Sequence, residues 1–536
     1  MNQMPIILIF LPVITSLFIY LFKWRHMHIA ALLVQLAMIF LAVLYFLHYQ
    51  GNFAATHIIL GGWEDARIGI SLANDGISMA FIFLTLVIWL AVLLYLFRPG
   101  KTEHTFLFFL MFLQGVFFGL LQSNDLFNLF VFFELTTIIV TILIAYKKTG
   151  ESFRAAVYYL LLNTSGVLLF LIAIVMLYNL YGTINIRVLN EIIDTHAETT
   201  ILRFAYVLMM TGISVKAALF PVFTWLPKAH GVAQSAISAL LSGLIVKGGI
   251  YLFFRMNFLF EDAKFSYHNI FFVIGLLTAL SGIIFAITQK NIKLMLAYST
   301  VSQIGLIMMG LSSPEVTTFY GGILHTFNHA IFKALLFLGA GLIISVYRTK
   351  KIDEIKGVFR TMPIISITMI IGMLAITGMP FLSGYVSKSV IKYGYQDNLI
   401  QTLAFYFVNI GTTTLFIKMS VMFFGPKMLS YPMKHFQQNT TLIFLALGCF
   451  VFGNFYVEIM DGFFAVDFSD VSRISVRGVI DYLITVVGGL SIYFLVLKDD
   501  RLVVKKIREF KISFETANVL FIAYLTVLTT AFVLLA

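Results

Sequence analysis

Lysines inside long apolar stretches are the residues of this chain best placed to do chemistry. The segment Arg203–Arg255 holds two apolar spans joined by a break bearing proline and tryptophan, and each span carries one lysine, Lys216 and Lys247. Each lies about 12–13 residues from its nearer polar end, roughly 18–20 Å along a helix and so near the middle of a hydrocarbon core. A charge there costs at least ~2.5–3.5 kcal/mol unless it faces protein or water. Pro221 and Pro227 follow Lys216. Proline removes a backbone donor and clashes with the preceding turn, so the first span is expected to break at these residues. A broken helix beside a buried charge offers backbone groups to ions. The plainer alternative is a lysine satisfied inside a static bundle.

Further titratable groups share this setting. Glu134, in NDLFNLFVFFELTTIIV, reads as the one mid-span carboxylate. Desolvation would keep it protonated and a lysine on a neighbouring helix would ionise it, so a lone acid among lysines suits a switchable proton site. A fixed ion pair that locks helix register remains open. In GGILHTFNHAIFKALLFLGAG, His325, His329 and Lys333 follow at intervals of four and form one stripe on a helix face. Histidine titrates near neutral pH, so the stripe could relay protons. Two hydrogen-bonded core histidines, or a metal pair, are the alternatives, and no carboxylate or cysteine accompanies them to favour a metal. ITGMPFLSGYVSKSVIKY interrupts another span at Gly378, Pro380 and Gly384, with Lys388 in its continuation. Lys392 is expected to snorkel outward, and Lys333 and Lys418 to reach water at the opposite end of their spans.

The elements that must position these groups follow from composition. Hydrophobic residues are 60% of 536, charged residues only 11%, and mean hydropathy is +0.96. That profile is a polytopic, all-α membrane protein. About sixteen spans are expected in one membrane domain, 1–536, with broken spans near 200–226 and 361–396. N-terminal helices occupy 1–100, two repeats 104–254 and 270–424, and C-terminal helices 441–536. An odd number of helices separates the two breaks, which implies that the repeats are inverted, and matching breaks in inverted repeats mark midplane ion sites. The first span, 4–22, lacks a basic flank and a small-residue cleavage site, and reads as retained. The single cysteine, Cys449, leaves no intramolecular disulfide or C-x-x-C pair. The net charge of +11 has no basic domain to carry it, which argues against nucleic acid. It lies in alternate loops: 23–28, 98–104, 146–154, 348–360 and 498–511 are basic, whereas 190–198 and 458–470 are acidic. The basic loops are expected in the cytoplasm, which places both termini outside.

KAALFPVFTWLPKAH, SAISALLSGLIVKGGIY, KNIKLMLAYSTVSQIG, HTFNHAIFKALLFLGAG and GMPFLSGYVSK resemble the antiporter-type membrane subunits of NADH–quinone oxidoreductase and of Mrp/Mnh sodium–proton antiporters. The resemblance spans roughly residues 60–425 and is nearest the D-type chain of Mrp/Mnh antiporters, a preference carried by DLFNLFVFFE and GVAQSAISALLSGLIVKGG. It implies two inverted five-helix units, each with a broken helix. Glu134 and Lys216 would be the coupled pair of the fifth and seventh helices, Lys247 the central lysine, His325 and His329 the relay of the eleventh helix, and Lys388 the terminal lysine of the twelfth. It also implies partner membrane subunits, protons with sodium or another monovalent cation, a prokaryotic plasma membrane, and no cofactor. Two features depart from the pattern: Gln234 replaces a usual proline, and two spans follow residue 470. A proton-pumping subunit of a redox complex, a partner in bicarbonate uptake and a scaffold are the competing readings.

Overall fold

The computed structural model describes all residues except 1–2, 50–55, 62–68, 98–102, 194–198, 261–266, 428–435, 467, 469–473, 499–500 and 535–536. Parts of the basic loops 98–104 and 498–511, and of the acidic loops 190–198 and 458–470, therefore lie outside the described residues. Among those described, fourteen helices are long and apolar enough to cross a membrane. They are α1 (Met4–Phe22), α2 (Met27–Tyr49), α3 (Gly76–Leu96), α4 (His104–Gln122), α5 (Leu126–Ala145), α6 (Gly150–Tyr181), α9 (Ser235–Leu259), α10 (His268–Thr288), α11 (Ile292–Leu311), α12 (Val316–Tyr347), α15 (Leu399–Phe423), α16 (Phe436–Asn454), α17 (Val476–Leu497) and α19 (Phe514–Leu534). The two other expected spans are broken into α7 (Thr200–Lys216) with α8 (Trp225–Val232), and α13 (Pro363–Thr377) with α14 (Ser383–Tyr393). Helices dominate because a backbone in hydrocarbon must satisfy its own polar groups.

One element departs from an all-α expectation. Strands β1 (Thr56–Leu60) and β2 (Ile70–Asn74) pair antiparallel, with Leu60 opposite Ile70. The Asn124 amide donates to Ser71 O at 2.8 Å, and the Ser71 amide to Asp125 Oδ2 at 3.1 Å. Asp125 also accepts from the Asn128 amide at 2.6 Å, capping α5. The hairpin thus clamps the start of the helix that carries Glu134.

The breaks differ in detail from the expected prolines. Pro221 lies in the first break, but Pro227 sits inside the first turn of α8. A proline is tolerated there because first-turn amides have no intrahelical partner. Pro380 lies in the second break, between α13 and α14.

Helices α9, α11 and α12 form the interior, whereas α17 and α19 present mostly apolar side chains outward. The amphipathic α18 (Leu502–Glu509) links those two and crosses the end of α10, where Arg508 Nε donates to Thr288 O at 2.7 Å. Helix α19 then returns to the first break's helix, where Tyr524 donates to Ser214 Oγ at 2.8 Å.

Candidate functional site

The first break leaves backbone groups that must find partners elsewhere. The Phe220 amide donates to Thr278 Oγ1 at 2.8 Å, and Trp225 Nε1 to Val215 O at 2.8 Å. Ala218 takes a left-handed φ of 57° to make the turn. Lys216 is the last residue of α7, where the exposed carbonyls of a helix end favour a cation. It is buried and donates to Thr137 Oγ1 at 2.9 Å and more weakly to Tyr159 OH at 3.5 Å. Its ammonium also stands 4.9 Å over the Phe133 ring.

Glu134 is not in a fixed ion pair with Lys216. Its Oε1 accepts from Thr164 at 2.8 Å, and its buried Oε2 has no hydrogen-bond partner among the described residues. Thr137, one turn along the same face of α5, bonds Lys216 instead. The acid and the lysine are therefore neighbours across a threonine.

Lys247 follows a π-turn at Leu241–Ile245. Such a turn loosens the backbone ladder, and the Ser242 carbonyl accepts from the Lys247 ammonium. The same ammonium contacts Nδ1 of His329 on α12. Gly249 lets α9 reach the first break: a Cβ there would stand 2.5 Å from the Ala217 nitrogen. The helices bearing Lys216 and Lys247 therefore touch backbone to backbone.

His325 bonds Ser387 Oγ at 2.9 Å through Nδ1 and Gln303 Oε1 at 3.1 Å through Nε2. Its ring centroid is 6.4 Å from that of His329. Ser387 precedes Lys388 on α14, and Lys388 reaches back over the second break to donate to Ile376 O at 2.7 Å. Gly378 and Phe381 make that break with φ of 88° and 70°. Asn328 Nδ2 satisfies Ser383 O at 2.7 Å. Each break thus sets a lysine at the carbonyl end of its first half-helix.

The structure gathers Lys247, His329, His325 and Lys388 between α9, α12 and α14, while Glu134 and Lys216 stand at the adjoining break. Two lysines lie elsewhere than expected, and a third, Lys418, stays near the end of its span. Lys333 does not reach water: it is fully buried and donates to Leu296 O at 3.0 Å and to Ser299 Oγ. Lys392 does not snorkel: it pairs with Asp481 of α17 and donates to Tyr406 OH at 2.6 Å. Lys418 caps α10, donating to Ile287 O and Gln289 O, each at 2.7 Å.

His230 escapes a reading of the sequence although it closes the FTWLPKAH motif. It is fully buried, stacks on Phe337 at 4.5 Å, and neither ring nitrogen has a partner among the described residues. Beyond it, a cavity of ≈ 430 Å³ is lined by Glu103, Lys147, Gln234, Lys293 and Lys350. Lys147 and Lys293 donate to Ala233 O, and Lys350 to Gly231 O, so three lysines cover the carbonyls that end α8. Burial, and then the charge of Lys350, hold the loop residue Lys147 below the usual lysine range.

This architecture recurs in known proteins. Residues 123–414 match the family described as NADH:quinone oxidoreductase/Mrp antiporter, TM. The D chain of the Na(+)/H(+) antiporter of Alkalihalophilus pseudofirmus is 30% identical over 438 residues, covering 79% of this chain and 87% of that one. A chain of the membrane-bound sulfane sulfur reductase, an archaeal respiratory membrane complex, superposes with a TM-score of 0.80 at 26% identity, covering 91% of this chain and 99% of its own. A chain of the Mrp complex from Dietzia sp. DQ12-45-1b shares the fold with a TM-score of 0.75 at 19% identity, covering 95% and 99%. With both of its broken helices inside the matched segment, the chain belongs to the NADH:quinone oxidoreductase/Mrp antiporter family of membrane subunits.

Proposed function

We propose that the chain is an ion-transporting subunit of a multisubunit cation/proton antiporter in a prokaryotic plasma membrane, exchanging sodium or another monovalent cation for protons. It acts with other membrane subunits, and both of its termini face outward. The observation that carries this reading is the contact of Lys247 with His329, followed by the bond of His325 to Ser387, the neighbour of Lys388, all buried inside spans. Likeness to a chain of a sodium–proton antiporter over most of the length points the same way.

The geometry supports movement by exchange between neighbours. Protonating Glu134 removes the negative charge near Lys216, whose ammonium is then held, among the described residues, by Thr137, Tyr159 and the Phe133 ring. A less stabilised Lys216 gives up its proton more readily toward Lys247 across the α7–α9 contact. Lys247 and His329 share one hydrogen bond, so a change on either alters the other. The disturbance passes through His325 and Ser387 to Lys388.

A pH-gradient dye in inverted vesicles, with the abundance of the chain measured alongside, tests the reading. Glu134→Gln, Lys216→Ala and Lys388→Ala should each abolish cation-dependent proton movement while the complex still assembles. Near-normal transport in Glu134→Gln overturns the row.

A second reading, a proton-pumping subunit of a redox complex, is favoured by the likeness to a chain of an archaeal respiratory complex. Purification from native membranes separates the two. Small hydrophobic subunits as partners support the antiporter, and iron–sulfur proteins support the redox complex.

A further inference from the structure

Helix α17 brings a second carboxylate into the membrane. Asp481 lies five residues after Val476, roughly 8 Å along the helix and within the apolar span. A lone carboxylate there would be costly, and its partners explain its presence. Lys392 pairs with Oδ2, and Tyr406 donates to Oδ1 at 2.6 Å. Lys392 also donates to Tyr406 OH at 2.6 Å, and its ammonium stands 4.5 Å over that ring. The three groups close a triangle between α14, α15 and α17.

The triangle stands beside the end of the titratable row. Lys392 follows Lys388 by one helical turn, about 6 Å along α14 and on the same face. Between Lys388 and the triangle lies a cavity of ≈ 60 Å³, lined also by Thr377, Ser389, Asn409 and Tyr482. One water needs about 10–15 Å³ of such space, so the cavity has room for a few. Asn409 is only 6% exposed, and its Oδ1 has no partner among the described residues, although the residue lines this space. The polar lining, the room for water and an acid beyond it are the parts of a proton outlet.

We propose that α17 supplies the outer gate of the row, with Asp481, held by Lys392 and Tyr406, passing protons between Lys388 and the outer surface. The proposal rests on the transport reading given above. A proton leaving Lys388 Nζ crosses the cavity to the Asp481 carboxylate and neutralises it, which weakens the bond to Lys392. Loss of that proton to outside water restores the carboxylate, and the pair closes again. The charge on Lys392 also discourages a second cation from entering while the gate is shut.

Two measurements on the assembled complex test the gate. Asp481→Asn keeps the shape and one acceptor but cannot titrate, so cation-dependent proton movement should fall at least about ten-fold at normal protein abundance. Asp481→Glu should stay within about three-fold of the parent, because it restores a titrating carboxylate. A pair that merely anchors α17 would tolerate asparagine or lose the protein, so wild-type transport in Asp481→Asn overturns the proposal. The second measurement needs no transport. In a Cys449→Ala background, Ser389→Cys should react with a membrane-impermeant maleimide added from outside, and faster once Asp481→Asn is added. Absence of outside labelling in both backgrounds overturns the gate. Normal transport in Glu134→Gln defeats the underlying row instead, and leaves the labelling result to stand alone.

Discussion

The side-chain nitrogen of Lys247 bonds directly to Nδ1 of His329, joining α9 to α12 at the centre of the bundle. Two basic groups in such contact cannot both be charged at low cost, because one must accept the proton that the other offers. His329→Gln keeps an acceptor for Lys247 and removes the titration. Cation-dependent proton movement should fall at least about ten-fold while the complex assembles normally. Unchanged transport would mean that His329 is a hydrogen-bond acceptor and nothing more.

Lys333 reads differently in three dimensions. Its position in the stripe after His329 is plain from the sequence, but its distance from water is not, because α12 continues to Tyr347. The buried ammonium satisfies Leu296 O and Ser299 Oγ on α11. Lys333→Ala leaves a void and strips both acceptors of a donor, so the purified complex should lose about 1–3 kcal/mol of stability, visible as a lower Tm. Lys418→Ala, which removes a part-exposed cap on the end of α10, should cost less than about 1 kcal/mol. Equal Tm values for the two variants would contradict this placement.

Much of the architecture is legible because the bilayer leaves few choices. Long apolar runs must be helices, and a lysine among them is conspicuous, so Lys216, Lys247 and Lys388 stand out. The partners are hidden for the same reason. Threonine and serine are common in apolar helices and usually bond the carbonyl four residues back, as Thr137 does to Phe133. Nothing local marks Thr137 or Ser387 as contacts of the row. Asp481 is inconspicuous because it lies near the end of its span, where an acid passes for a loop residue. The β1–β2 hairpin is hidden because its strands are short and precede a long apolar helix.

Gly384 has no room for a side chain, since a Cβ would stand 1.9 Å from Ala375 O across the second break. Gly384→Ala must therefore push α13 and α14 apart and move Lys388 off Ile376 O. A destabilisation of about 1–3 kcal/mol should appear as lower Tm, with transport lost in whatever assembles. A variant that transports normally would show that the break tolerates displacement.

Loops from alternate connections meet at opposite ends of the bundle. Ile292 bonds Lys350 O at 2.9 Å at one end, and Leu126 bonds Ile184 O at 2.9 Å at the other. With Cys449 replaced, a cysteine at Lys356 should be blocked by an impermeant maleimide only from the cytoplasmic side. One at Arg187 should react only from outside. Both reacting from one side would overturn the proposed orientation.

The link between Glu134 and Lys216 can be dissected by their threonines. Thr164 is the donor to Glu134, and Thr137 the closer acceptor of Lys216. Thr164→Val and Thr137→Val nearly keep shape and remove one hydroxyl each. Thr164→Val removes the hydrogen bond to Glu134 Oε1 and should slow transport several-fold. Thr137→Val leaves Lys216 with Tyr159 OH at 3.5 Å and should slow transport several-fold, about what one lost hydrogen bond to a charged group predicts. If the acid and the lysine act as a unit, combining Thr137→Val with Thr164→Val should slow transport by less than the product of the two single effects. Full additivity of the two would show that they act separately.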